Sequence, residues 1–127
     1  MGRKTYTIKQ ELVARFADAL GNPARVAIVE YLGKVGSSYF GPIEAMLPLS
    51  KATVSQHLTV LKDAGLVVGE PCPPRVRYSI DKENWLLAKE VIGQFMELCI
   101  NGSLQLEEER KAAKETAATI VKEQSAD

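Results

Sequence analysis

The sequence lacks the features that would mark several protein classes. No apolar run approaches the roughly 20 residues that cross a bilayer, so no membrane partner is expected. The first ten residues, MGRKTYTIKQ, lack the apolar stretch of a signal peptide, and a cytoplasmic location is expected. There are only two cysteines, Cys72 and Cys99, far apart in the chain. Two are too few for a disulfide scaffold, and their spacing is not that of a metal motif. With a single histidine, His57, a zinc site would have to recruit carboxylates as well, so neither metal nor cofactor is expected. No nucleophile–base pair, phosphate loop or carboxylate pair is recognisable, and no enzyme activity is expected.

What is present is the composition of a soluble globular protein: 127 residues, 46% hydrophobic and 25% charged. That length suits one domain with an ordinary core. The formal net charge is zero, but it is unevenly spread. Residues 1–80 hold ten Lys or Arg against six Asp or Glu, and residues 81–127 hold six against ten. Such an imbalance between halves marks a candidate nucleic-acid-binding part joined to something else.

Apolar residues at Ile8, Leu12, Val13, Phe16 and Leu20 recur at helical spacing and predict a first helix. Gly21-Asn22-Pro23 ends it and starts a second, with Asn22 as cap and Pro23 in the first position. This helix should run to about Val35 and bury Val26, Val29 and Leu32. A turn and a short extended piece at Tyr39-Phe40 follow, then a short helix opened by Pro42 and ended by Pro48. Ser50 caps a fourth helix whose core stripe is Val54, Leu58 and Leu61, and Gly65 sits where a helix end needs a left-handed residue, with Leu66 as its apolar contact. Leu66-Val67-Val68 and Arg75 to Ile80 read as a hairpin around a proline-rich tip, Gly69 to Pro74. Alternation places Val76, Tyr78 and Ile80 on one face, and Arg75, Arg77 and Ser79 on the other.

From Asp81 the pattern is helical again. Residues Trp85 to Ile100 are apolar over an arc wider than one packing surface requires. Asn101-Gly102-Ser103 should break this helix, leaving a charged helical tail. The expected organisation is therefore one domain with terminal helices over 1–102 and a charged helical tail over 103–127.

The fourth helix poses a question about its outward face, which consists of Lys51, Ala52, Thr53, Ser55, Gln56 and Thr59. A short helix, a tight turn through Pro48-Leu49, a capped helix and then a hairpin make a winged helix-turn-helix. The fold class is mainly α with a small β-hairpin. A helix entering the major groove needs small donors and acceptors for base edges, which Gln, Ser and Thr supply. Its start also offers free N–H groups to phosphate. The expected DNA-binding residues are Ser50, Lys51, Thr53, Ser55, Gln56, His57 and Thr59, with Arg75 and Arg77 of the wing on the backbone or minor groove. His57 falls on the flank of the helix, where it could contact DNA or hydrogen-bond within the domain.

Three stretches together, "ALGNPARVAIVEYL", "LSKATVSQHLTVLKDAGLV" and "RVRYSI", resemble the winged-helix repressors of the ArsR type over roughly Phe16 to Met96. The resemblance implies a homodimer that binds a palindromic operator in double-stranded DNA, represses, and lets go when an effector binds. It also implies dimerisation through the terminal helices, here through Leu12, Phe16, Trp85, Val91, Ile92, Phe95, Met96 and Cys99. Two departures stand out. Where many members carry a Cys-x-Cys metal site this chain has Tyr39 and Gly41, and its last helix has no histidine, so neither usual metal site can be assembled. Two other readings stay open: a thiol-based redox or sulfur-species sensor using Cys72 and Cys99, and a winged helix used as a protein-interaction module.

Overall fold

The computed structural model describes residues 4–124. The chain divides into two units between Ile92 and Gly93. The first unit is built in the order α1 (Ile8–Leu20), α2 (Pro23–Val35), β1 (Ser37–Ser38), α3 (Phe40–Ala45), α4 (Lys51–Asp63), β2 (Val67–Cys72), β3 (Arg75–Ile80) and the start of α5 (Lys82–Gln124). The remainder of α5 makes up the second.

Local chemistry sets most of these boundaries. Thr7 and Gln10 form a reciprocal capping box at the start of α1. Asn22 accepts the Ala24 N–H at 2.8 Å, and Pro23 opens α2. At the end of α4, Gly65 takes φ +84, its N–H donates to the Lys62 carbonyl, and the Leu66 N–H reaches back to the Leu61 carbonyl. This is a Schellman ending, and fully buried Leu66 supplies its apolar contact.

The core of the first unit gathers Phe16 and Ala19 of α1, Ile28, Val29 and Leu32 of α2, Ile43 of α3, and Val54, Leu58 and Leu61 of α4. Ala64 and Leu66 after α4, Val67 of β2, and Ala88 and Val91 of α5 complete it. Val26, expected in this core, is 44% exposed. It lies about 200° around the helix from Ile28, so the stripe that packs is centred on Ile28 and Leu32 instead. Ile8 is also exposed, because it lies in the first turn of α1, beyond the reach of the core.

The sheet order is β1-β3-β2, all antiparallel. The extended piece expected at Tyr39-Phe40 falls earlier, at Ser37–Ser38, which pair with Ser79 and Tyr78. Tyr39 precedes α3, which begins at Phe40 rather than Pro42. Pairing with β3 outweighs the strand propensity of the two aromatics. The wing is longer in strand and tighter in turn than expected. Gly69, Glu70, Pro71 and Cys72 all pair across to β3, leaving Pro73-Pro74 as the tip. Pro71 is accommodated because β2 is an edge strand and its missing N–H breaks no ladder.

Asn101-Gly102-Ser103 do not break α5; the helix runs through them and across the 102/103 division expected from the sequence. One glycine costs a helix interior only ~1 kcal/mol, which favourable neighbours on both sides outweigh. The Ser103 hydroxyl donates to the Cys99 carbonyl at 3.2 Å, satisfying itself within the helix. Among the described residues, no helix is long and apolar enough to cross a membrane.

Candidate nucleic-acid interface

The N-terminus of α4 is built by Ser50, whose Oγ accepts the Thr53 N–H at 3.3 Å and lies 2.9 Å from the Thr53 hydroxyl. These two side chains are therefore occupied with the cap, and Thr53 is half-buried. With Val54, Leu58 and Leu61 turned into the core, Lys51, Ala52, Ser55, Gln56 and Thr59 are left on the exposed side. Thr59 donates its hydroxyl hydrogen to the Ser55 carbonyl at 3.0 Å, which leaves its oxygen able to accept and its methyl outward. Lys51, Ser55 and Gln56 are thus the exposed, uncommitted polar groups of this surface, a cation beside two neutral hydrogen-bonding side chains.

His57 turns the other way. It is half-buried, and its Nδ1 lies 3.1 Å from Nη1 of Arg25. Guanidinium only donates, so Nδ1 accepts and the ring hydrogen of a neutral imidazole sits on Nε2. Arg25 also donates through Nε to the Ala19 carbonyl at 2.6 Å and through Nη2 to the Asp18 carbonyl at 3.1 Å. Of the two roles open to His57 from sequence, this geometry provides the internal hydrogen bond. It also makes Arg25, which was not among the expected site residues, the link between the end of α1 and α4. The only sequence signal for it was its place in Asn22-Pro23-Ala24-Arg25, directly after a helix boundary.

On the wing, paired residues share a face. Arg75 and Cys72, Arg77 and Glu70, and Ser79 and Val68 lie on the face opposite Tyr78, Ile80 and Val67. Both arginines are exposed, as expected. Arg75 is not free in orientation: its guanidinium sits 4.1 Å from the centroid of the Tyr39 ring, and the Tyr39 hydroxyl lies 3.7 Å from the Cys72 sulfur. Arg77 stands across from Glu70 in the strand register.

The residues expected at a dimer interface separate into three groups. Phe16 and Val91 are buried within a single chain, so a partner cannot reach them; the Arg15 guanidinium, 5.1 Å from the ring centroid, helps close over Phe16. Helical periodicity shows that a residue faces something apolar but not whether that is its own core. Leu12, Trp85 and Ile92 are half-buried against the same core. Phe95, Met96 and Cys99 are exposed along α5, together with Leu98 and Ile100. Cys99, expected at the dimer interface, is on the surface of the single chain. Among the described residues no group of three or more His, Cys, Asp or Glu is arranged to hold a metal ion.

The chain is similar to known proteins in sequence and in fold. A sequence profile described as bacterial regulatory protein, arsR family, matches residues 22–68, from the cap of α2 into the wing. The chain is 36% identical over 88 residues to the HTH-type transcriptional regulator Rv2034 of Mycobacterium tuberculosis, which covers 69% of this chain and 81% of that protein. A crystal structure of an ArsR family transcriptional regulator, RHA00566, superposes with a TM-score of 0.62 at 19% identity, covering 76% of this chain and 95% of the other. An ArsR-like transcriptional regulator from Rhodococcus sp. RHA1 gives 0.61 at 21% identity, with 79% and 96% covered. At those identities the structural likeness is one of fold.

Proposed function

The chain belongs to the ArsR family and is a DNA-binding transcriptional regulator, and from that premise we propose that it is a homodimeric repressor of a palindromic operator, released by an effector. The observation that carries this reading is the exposed side of α4. Lys51, Ser55 and Gln56 stand free beside a capped helix start, and two exposed arginines project from the adjoining wing. Gln56 and Ser55 read base edges, Thr59 offers its methyl and an acceptor oxygen, and Lys51, Arg75 and Arg77 bind phosphate. Ser50 and Thr53 shape the helix start, so that its backbone N–H groups meet phosphate. His57 acts from behind, through Arg25. The dimer forms through the exposed apolar residues Phe95, Met96, Leu98, Cys99 and Ile100, a set that one chain leaves uncovered.

Footprinting on the DNA upstream of the protein's own coding sequence, at stated salt, tests the reading. Protection of two symmetric half-sites about one helical turn apart is expected. An unprotected region, or protection that ignores sequence, overturns it. Sedimentation at micromolar concentration without DNA should give a dimer, and a monomer there overturns the dimeric part.

A second reading, a thiol-based sensor, is favoured by the exposure of both cysteines and by the contact of Cys72 with Tyr39 beside Arg75. Replacing both cysteines by serine would then abolish release by oxidants or persulfides while sparing DNA binding.

A further inference from the structure

Between α2, the end of β3 and the first turn of α5 lies a cleft of about 390 Å³. That volume is within the range that takes small organic ligands. Its walls are apolar: Val29, Ile80, Trp85 and Leu86. Gly33 stands at its edge, where an added Cβ would meet nothing within 4 Å. Two charged side chains line it. Glu30 is neutralised by Lys34 at 3.2 Å, one turn further along α2. Lys82 has no ion-pair partner among the described residues. With Lys34 counted, the mouth carries one uncompensated positive charge beside an indole. An apolar slot with aromatic and aliphatic walls suits a planar aromatic body, and the free ammonium suits a carboxylate on it.

The cleft also touches the parts that position α4. Asn84 lies between Lys82 and Trp85 in the first turn of α5. Its side-chain amide donates to the Gly65 carbonyl at 3.0 Å, at the end of α4, and its backbone N–H donates to Asp81 Oδ1 at 3.1 Å. The contact has no slack, since a Cβ on Gly65 would come 2.7 Å from Asn84 Nδ2. Ile80, another wall residue, pairs with Val67 at the base of the wing. A ligand that moves the first turn of α5 therefore moves the end of α4 and the root of the wing.

We propose that this cleft is the effector site, that its ligand is a planar aromatic carboxylate, and that occupancy is transmitted to α4 through Asn84 and Gly65. The inference rests on the reading of the chain as a repressor released by an effector. Trp85 is the only tryptophan, so its emission reports on the cleft directly.

The probes are 4-chlorobenzoate and its neutral twin 4-chlorobenzamide, titrated into the full chain with emission excited where neither absorbs. DNA affinity is followed in parallel by anisotropy on the upstream fragment. The acid should change Trp85 emission saturably, and the amide should bind about tenfold more weakly, the scale of one charge-assisted contact. Lys82→Gln should bring the acid down to the level of the amide. Gly33→Leu, a change that favours the helix and fills the mouth, should abolish binding of both and leave DNA affinity unchanged. Saturating acid should weaken wild-type DNA binding by about tenfold, a usual size for coupling between sites.

Absence of a saturable change overturns the site, and so does undiminished binding by Gly33→Leu. Equal binding of acid and amide overturns the ligand class. Binding that leaves DNA affinity unchanged overturns the effector role. Failure of the unliganded protein to bind any DNA would instead count against the repressor reading, while the emission titration still decides the cleft.

Discussion

Arg25→Ala is the substitution whose cost follows most directly from the geometry. The guanidinium donates to the carbonyls of Asp18 and Ala19, in the last turn of α1, and to Nδ1 of His57 on α4. The Asp18 carbonyl already accepts the Gly21 N–H, but both carbonyls lie at the negative end of the helix dipole and have lone pairs to spare for a cationic donor. A hydrogen bond to a charged group contributes about 1.5–3 kcal/mol when well sheltered. Arg25 is only half-buried, which lowers each of its three contacts to roughly 1 kcal/mol, and the sum to about 2–3. Truncation also leaves His57 Nδ1 half-buried without its donor. The urea midpoint should fall by about 1 M for a domain of this size. Arg25→Lys should recover at most half of that, because a single ammonium cannot fork to both carbonyls and the imidazole. The assay is equilibrium unfolding followed by far-ultraviolet circular dichroism at one fixed protein concentration, since an associating chain gains apparent stability with concentration. An Arg25→Ala variant within 0.5 kcal/mol of the parent, or an Arg25→Lys variant fully as stable as the parent, refutes the reasoning.

Four further outcomes are expected. Gln56→Ala should lose about 1–3 kcal/mol of discrimination between operator and random DNA, whereas Arg77→Ala should weaken both alike and flatten the salt dependence by roughly one phosphate contact; identical behaviour in a salt titration would sink the division of roles. Ser50→Ala should cost about 1 kcal/mol in unfolding experiments through loss of the α4 cap. Gly65→Ala should cost about 2 kcal/mol, from a left-handed φ and the collision with Asn84, and Asn84→Ala in the same chain should return part of it; simple additivity would show that the two residues do not press on each other. Zinc, cadmium or arsenite at one equivalent should leave the DNA complex intact in anisotropy, since Tyr39 and Gly41 occupy the positions where many relatives carry thiolates.

The sequence discloses what is decided within a turn or two of chain. The Ser50 cap, the stripe Val54, Leu58 and Leu61, and the Gly65 ending of α4 each depend on neighbours a few residues away, and all were legible. What was not legible depends on distant partners. The wing strands extend over Gly69 to Cys72 because β3 pairs with them, although glycine and proline are poor strand residues. Phe16 and Phe95 look alike in a helical pattern, yet one is sealed in the core and the other is exposed. The Arg25–His57 contact joins residues 32 apart, and no local pattern encodes it. The run Asn101-Gly102-Ser103 misled in the opposite sense, since a local break signal lost to the helical preference of its surroundings.

The two contacts that sequence could not supply bear on the same element. His57 ties the middle of α4 to Arg25, and so to the end of α1. Asn84 ties the end of α4, at Gly65, to the first turn of α5. The core residues Val54, Leu58 and Leu61 resist withdrawal of α4 from the domain, but apolar packing is non-directional and sets the helix's rotation and tilt less sharply than hydrogen bonds do. A reading helix needs both fixed, because displacement by one ångström takes a bidentate side chain out of hydrogen-bonding range of its base. Polar ties at two points along α4 supply that constraint. One of them runs through Asn84, beside the proposed ligand cleft, and the other does not. A ligand in that cleft would therefore pivot α4 about His57 rather than release it. Arg25→Ala should then blur operator discrimination with or without the acid, whereas Asn84→Ala should leave basal discrimination closer to normal and cut the response to the acid.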